Sequence, residues 1–286
     1  MIKIKKVILN KLYYLWLKVR NCKVLGAGEI YKKVNEAKKK KKSEVCHILG
    51  SGASLNLSLK EIQNSDFVMG CNYSGLSIVE HDFYLLEFSG PSYQNVSEDH
   101  FSIAYNIVKK NTDLIFFKNV WENKNKLSSI ITKFKMFNFP IVEDRLLIVE
   151  EKEQLEPSIR EAICGKSDSI PQLSSTVVTL LFIAIRCGFK KIVIHGVDFG
   201  GEYFYQSSNF DSINLNKLST LNLFNPDKNE GLYPLVSINK QHDTNKSFIN
   251  FEMVLCEIHK QAKSLGVDIS AGYKSSKLEG LFNQNK

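Results

Sequence analysis

Apolar residues recur along this chain in two rhythms. Runs of strand length occur at Val45–Leu49, Phe67–Cys71, Phe83–Leu86, Leu114–Phe117, Leu146–Val149 and Ile192–Ile194, each short and bounded by polar or Gly-containing stretches, as buried strands are. Longer patterns lie between several of them. The clearest, "STVVTLLFIAIRC" from Ser175 to Cys187, is apolar nearly all round, so as a helix it must be buried, most simply against a sheet. "GFKK" and "IVIHGVDF" follow, an αβ unit with Gly188 as helix C-cap and a strand buried on both faces. A second helical pattern covers Phe248–Ala262. This order predicts an α/β fold: a mainly parallel, Rossmann-like sheet with helices on both faces and ligands beyond the carboxyl ends of its strands. Residues 200–245 break the rhythm. They are polar, rich in Asn and Ser, and carry Tyr203, Tyr205 and Tyr233, which reads as a mobile lid, a binding loop or disorder.

The amino-terminal stretch has a different pattern again. "MIKIKKVILNKLYYLWLKVR" interleaves Ile4, Ile8, Leu12, Leu15 and Val19 with Lys3, Lys5, Lys11, Lys18 and Arg20, and sets Tyr13, Tyr14 and Trp16 near its middle. No uncharged apolar run approaches the roughly 20 residues a spanning helix needs. A basic amphipathic helix of this kind suits an anionic membrane interface; an ordinary packed helix and a nucleic-acid arm are the alternatives. Residues 1–42 are therefore expected as a membrane-associating arm with Lys38–Lys42 as a solvated spacer, and residues 43–286 as the catalytic domain.

Charge sharpens this division. The net charge is +8, but residues 1–42 hold fourteen Lys or Arg against only Glu29 and Glu36, leaving 24 basic and 28 acidic groups in the rest. The globular part is mildly acidic, so no nucleic-acid partner is expected. The six cysteines show no C-x-x-C and no paired spacing, which indicates neither a zinc ribbon nor a disulfide scaffold and fits a reducing cytoplasm. The expected location is cytoplasmic, peripheral at the inner face of a bacterial membrane.

Candidate chemistry begins at "GSGASL", Gly50–Leu55, which follows a strand and precedes a helical pattern. Its backbone N–H groups could meet an anion at a helix N-terminus, or the glycines could serve a plain βα turn. Leu55 stands where a dinucleotide fingerprint would place its third glycine, so NAD is not expected. "GKS" at Gly165–Ser167 lacks the earlier glycine and the preceding strand of a P-loop, and "DFG" at Asp198–Gly200 lacks a kinase's other motifs. No H-E-x-x-H, D-x-D or His/Cys cluster suggests a metal. Asn72 in "GCN" and Glu87 in "LLEFSGPS" each close an apolar strand, where they could bind a ligand or simply shape a turn. His242, between the irregular segment and a helical pattern, could be an exposed general base or a solvent-facing residue.

Taken in order, these pieces resemble the bacterial sialyltransferases of glycosyltransferase family 42. The matches are Gly50–Leu55, Cys71 with Asn72, the block Ser175–Phe199, His242 with Asn245, and the C-terminal "YKSSKLEGLF". The resemblance implies a CMP-activated nonulosonic acid as donor, no separate cofactor, and inverting transfer without metal to a glycan or glycolipid acceptor. It would set Gly50, Ser51 and Gly52 against the cytidylate and Asn72 on the ribose or phosphate side of the donor. Ser175, Thr176, Gly196, Val197, Asp198 and Phe199 would shape the cytidine pocket. Tyr203 or Tyr205 would contact the leaving phosphate, and His242 would take the acceptor's proton. Four positions depart from the family's pattern. Ser51 replaces an Asn, Gly200 replaces a Tyr, Glu87 stands roughly where the family has a donor-contacting Asn, and an Arg is missing near Leu173. All surround the donor sugar, so sialic acid, Kdo or another nonulosonate would fit, in lipopolysaccharide or capsule synthesis. An ATP-dependent pterin diphosphokinase-like enzyme and a non-catalytic nucleotide-binding protein are the competing readings. Self-association into a homo-oligomer is compatible with the sequence.

Overall fold

In a computed structural model the chain is described at residues 24–87, 94–110, 112, 114–118, 140–142, 144–147, 149, 151–165, 170–173, 175–200, 203–204, 249–274 and 276–283. The elements in chain order are β1 (Val24–Leu25), α1 (Ala27–Lys41), β2 (Val45–Leu49), the single turn α2 (Leu55–Ser58), β3 (Phe67–Cys71), β4 (Phe83–Glu87), α3 (Gln94–Asn106), β5 (Ile115–Lys118), β6 (Ile141–Val142), β7 (Asp144–Leu146), α4 (Leu155–Cys164), β8 (Ile170–Gln172), α5 (Thr176–Arg186), β9 (Lys191–His195), α6 (Phe251–Ser264), β10 (Asp268–Ala271) and α7 (Lys277–Asn283).

Eight strands form one sheet in the order β1-β6-β5-β4-β3-β2-β9-β10, and every neighbouring pair is parallel. From β2 the chain steps outward through β3, β4, β5 and β6, then returns to add β9 and β10 on the other side. The direction of winding reverses between β2 and β9, and a crevice opens there at the carboxyl ends of the strands.

Alternation along each strand covers both faces of the sheet. Cys46, Ile48, Phe67, Met69, Phe83, Leu85, Ile192 and Ile194 join one core with buried residues of α1, α4, α5 and α6. On the other face His47, Leu49, Tyr84 and His195 are buried, and around Tyr84 lie Ile103 of α3, Val108 and Gly75. α5 is the helix its sequence predicts: Ser175 caps it by accepting from Val178 N at 3.3 Å, and every residue from Thr176 to Ile185 is buried. At about 1.5–3 kcal/mol per large apolar side chain, that helix anchors the domain.

Three expectations need correction. The run Leu146–Val149 is not a strand of the main sheet; Asp144–Leu146 pairs instead with Ile170–Gln172 in a separate parallel pair. Residues 24–42 do not belong to a detached arm. β1 pairs with β6, and α1 buries Ala27, Ile30 and Val34 completely. Nor is Lys38–Lys42 a solvated spacer. Lys38 Nζ donates to Gly188 O at 2.8 Å and Glu44 Oε2 at 3.3 Å and lies 4.6 Å over the Phe189 ring, while Lys41 Nζ pairs with Asp82 Oδ2 at 2.6 Å. Lys39, Lys40 and Lys42 are exposed. The three-residue step from Lys38 to Lys41 puts both on one side of the last helical turn, so lysine composition hid an inward-facing pair. The stretch "MIKIKKVILNKLYYLWLKVR" lies outside the described residues.

Candidate active site

At the switch point the β2–β9 pairing does not stop where the strands do. Gly50 N donates to His195 O and Gly52 N to Gly196 O, both at 2.8 Å. A Cβ on Gly50 would sit 2.4 Å from Gly196 O, and one on Gly52 2.4 Å from Asp198 Oδ2. Glycine is required at both positions by the approach of these two turns. Gly196 is itself left-handed, φ 64°, and faces Leu55 Cβ. The residue that displaces the third fingerprint glycine thus packs against the opposite turn.

This changes the reading of "GSGASL". The helix it opens is one turn long, and Ser54 N at its start already donates to Asp198 Oδ2 at 2.8 Å. The anion expected at the helix start is supplied by the chain itself. Asp198 is accordingly a tie between the turns. Val197 is buried in the core, and Phe199, at φ 56°, packs its ring 5.5 Å from that of Phe251 in α6.

The segment after "DFG" returns to the same place. Tyr203 forms an antiparallel bridge with Gly52, Phe204 N donates to Ser51 O at 3.0 Å, and Asn56 Nδ2 donates to Phe204 O at 2.7 Å. Burial pushes the Tyr203 phenol up to about 12, so near neutral pH it keeps its proton and can donate it in a hydrogen bond.

A second cluster occupies the ends of β3 and β4. Asn72, left-handed at φ 51°, accepts at Oδ1 from Glu87 N at 3.0 Å, and its carbonyl accepts from the buried Tyr84 hydroxyl. Thr176 Oγ1 donates to Glu87 Oε2. Asn72, Glu87 and Thr176 therefore form one bonded chain, with Ser175 capping the helix beside it. Behind them His100 donates from Nδ1 to Glu87 O at 3.1 Å, and burial lowers its pKa to about 4. The two clusters meet through rings: Tyr73 stacks edge-on with His100 at 4.6 Å and lies 5.6 Å from Tyr203.

Of the residues singled out in the sequence, the structure brings together Gly50, Ser51, Gly52, Gly196, Asp198 and Tyr203 in one cluster, and Asn72, Glu87, Ser175 and Thr176 in the other. His242, Tyr205, Tyr233 and Asn245 lie outside the described residues. Sequence reading missed Tyr73, Tyr84, Asn56 and His100. Tyr73 adjoins Asn72 and could have been noted, whereas His100 becomes relevant only when α3 folds over β4. Among the described residues no three His, Cys, Asp or Glu side chains come together to hold a metal ion.

Solved structures similar to this chain are sialyltransferases. The monofunctional α-2,3-sialyltransferase Cst-I from Campylobacter jejuni is 19% identical, with 84% of this chain and 80% of that chain covered and a TM-score of 0.47. Sialyltransferase CstII from Campylobacter jejuni, in complex with the substrate analogue CMP-3FNeuAc, is 15% identical, with 82% and 84% covered and a TM-score of 0.45. An α-2,3-sialyltransferase from Campylobacter jejuni in apo form is 17% identical, with 84% and 79% covered and a TM-score of 0.45. No family model matches the chain, and no curated protein matches it.

Proposed function

We propose that the chain is a CMP-sugar glycosyltransferase that moves a sialic-acid-like nonulosonate to a hydroxyl of a bacterial surface glycan. The observation that carries this reading is the convergence at the switch point. Residues separate in sequence, the "GSGASL" turn, Asn72, Glu87 with Thr176, and the "GVDF" turn with Tyr203, end at adjacent strand termini, where α/β sheets bind nucleotides.

The chemistry follows from what these groups offer. Asn72 commits Oδ1 to Glu87 N, so its Nδ2 donors are its means of binding the donor substrate. Glu87 and Asp198 are carboxylates, so the anionic phosphate belongs away from both, toward Tyr203 and the segment that follows it. In the proposed step the acceptor oxygen attacks the anomeric carbon, the bond from that carbon to the phosphate oxygen breaks, CMP leaves, and His242 takes the hydroxyl proton. Attack opposite the leaving group inverts the centre. A base in hydrogen-bond reach contributes about 10²–10⁴ in rate, and the Tyr203 and Tyr205 hydroxyls would stabilise the departing phosphate in a site closed to water.

Residues 1–23 would hold the enzyme at an anionic membrane surface on the cytoplasmic side; no described helix is long and apolar enough to cross a membrane. The test is a thermal-shift panel of nucleotides. CMP should raise the melting temperature while NAD and ATP do not, and equal responses to all three would remove the reading. His242→Ala should abolish transfer and keep CMP binding; retained turnover would acquit His242 as the base.

A further inference from the structure

Beneath the two turns lies a line of side chains that the transfer reaction does not use. Asp66 Oδ2 is 3.0 Å from His47 Nε2, His47 Nδ1 is 2.8 Å from His195 Nε2, and His195 Nδ1 is 2.9 Å from Ser58 Oγ. His47, His195 and Ser58 are 4%, 1% and 0% exposed. Their placement follows from the fold. In the β2–β9 register Leu49 lies opposite His195 and His47 opposite Val193, so the two rings are diagonal neighbours on one face, and α2 lowers Ser58 onto them. A hydrolytic triad is excluded, since Ser58 has no path to a substrate.

The chemistry of the four groups fixes the direction of every bond. An ionised Asp66 can only accept, so His47 carries its proton on Nε2. A neutral His47 then accepts at Nδ1, so His195 donates from Nε2 and accepts at Nδ1 from the Ser58 hydroxyl. The hydroxyl has two further acceptors nearby, Ser54 O at 3.2 Å and Leu55 O at 3.3 Å. One added proton reverses the whole line. Because its Nε2 is already occupied, His47 gains a proton at Nδ1 through the line: Ser58 passes its hydroxyl proton to His195 Nδ1, His195 passes its Nε2 proton to His47 Nδ1, and the added proton comes to Ser58 Oγ, turned to the α2 carbonyls, leaving His47 a cation held by Asp66.

We propose that Asp66, His47, His195 and Ser58 form a one-proton relay whose neutral state latches the Gly50–Gly52 and Gly196–Phe199 turns together and whose protonated state loosens them. His195 is the positioning residue. Its ring is held at both nitrogens, its carbonyl accepts Gly50 N, the next residue accepts Gly52 N, and Ser58 closes the turn that carries Ser54. A Cβ on Gly272 would fall 2.1 Å from His195 Nδ1, so the ring has no room to swing away. At His47 burial, the largest influence, and Lys191 oppose the cation, Asp66 and Glu61 favour it, and the net effect lowers the ring below its ordinary value. At His195 burial and the His47 charge both oppose the cation. The charge therefore rests on His47 beside Asp66, and since burial opposes it there, protonation favours the arrangement in which the turns part and water reaches the ring. That the latched turns form a nucleotide site rests on the reading above; the latch itself does not.

The test uses the full chain with ¹⁵N-labelled histidine and glycine. Near neutral pH both His47 and His195 should show the Nε2–H tautomer, and on acidification amide protection at Gly50 and Gly52 should fall with the midpoint of His47. Asp66→Asn keeps an acceptor for His47 but removes the charge that holds the cation, so both midpoints should move together to lower pH by about one unit or more. An Nδ1–H tautomer for either ring, or turn protection that ignores the shift of the His47 midpoint, would overturn the relay. CMP titration of the same samples separates the two ideas: absent CMP binding with the paired shifts intact rejects the function and keeps the latch.

Discussion

Acid should unfold this protein well above the pH at which carboxylates titrate. His81, His100 and His195 are 5%, 2% and 1% exposed, and burial lowers them from 6.5 to about 4, 4 and 3 respectively. A folded pKa below the unfolded one means that the unfolded chain binds the extra proton first. Stability is full above the unfolded value, falls as pH drops through it, and levels off only below the folded values. Each depressed group costs about 1.36 kcal/mol per pH unit in that window. Between about pH 7 and pH 5 this amounts to about 2 kcal/mol per group, or about 6 kcal/mol for the three, set against a total stability of roughly 5–15 kcal/mol for a typical domain. Urea denaturation across that range should show the midpoint falling with an unchanged slope. His81 is the cleanest control, because its Nε2 has no hydrogen-bond partner, so His81→Leu removes a titration without orphaning a partner. The variant should lose about 2 kcal/mol of the pH dependence. A wild-type loss below about 1 kcal/mol between those pH values, or an identical slope in His81→Leu, would refute the reasoning.

Further outcomes follow from the geometry. Gly52→Ala drives a methyl into Asp198 and Gly196 O; it should cost about 1–3 kcal/mol in urea denaturation and at least about tenfold in CMP affinity by titration. Thr176→Val removes the hydroxyl that Glu87 accepts from and should weaken CMP binding by roughly 1–2 kcal/mol, with the melting temperature in the absence of ligand little changed. Lys41→Ala breaks a half-shielded pair with Asp82 and should lower stability by up to about 1 kcal/mol in low salt, whereas Lys40→Ala should have no measurable effect. Removing residues 1–23 should abolish sedimentation with anionic vesicles and leave the fold intact; removing residues 1–42 should give insoluble protein, because it strips β1 and the buried face of α1.

Strands were legible where a run is apolar on both faces, and β2, β3, β4, β5 and β9 fall within a residue of the expected positions. Two-residue strands such as Val24–Leu25 and Ile141–Val142 carry no period to read and exist only because a neighbour supplies the hydrogen bonds. α1 was hidden by its lysines, whose stems and charges find partners contributed by Glu44, Asp82 and Gly188. At the candidate site, strand-end residues were legible because topology makes every such terminus converge. The function of the first glycines was not. A Gly-rich turn facing an anion and one facing another backbone have the same sequence, and only the position of Asp198, 144 residues away from Ser54, distinguishes them. The relay was invisible for a related reason, since His47 and His195 each look like an isolated core histidine until β9 inserts beside β2.

The position of β1 also sets an order of assembly. Val24 pairs with Ile141, and Tyr31 of α1 meets Arg186 at 2.8 Å. At a synthesis rate of about 5–20 residues per second, β1 waits roughly 6–25 s for its partner strand, and α1 waits longer for its guanidinium. Throughout that interval the basic, aromatic residues 1–23 and the apolar side of α1 wait with β6 still unmade. β1 is fastened only once β6 exists, and any surface that attracts the segment has that long to do so before the pair forms.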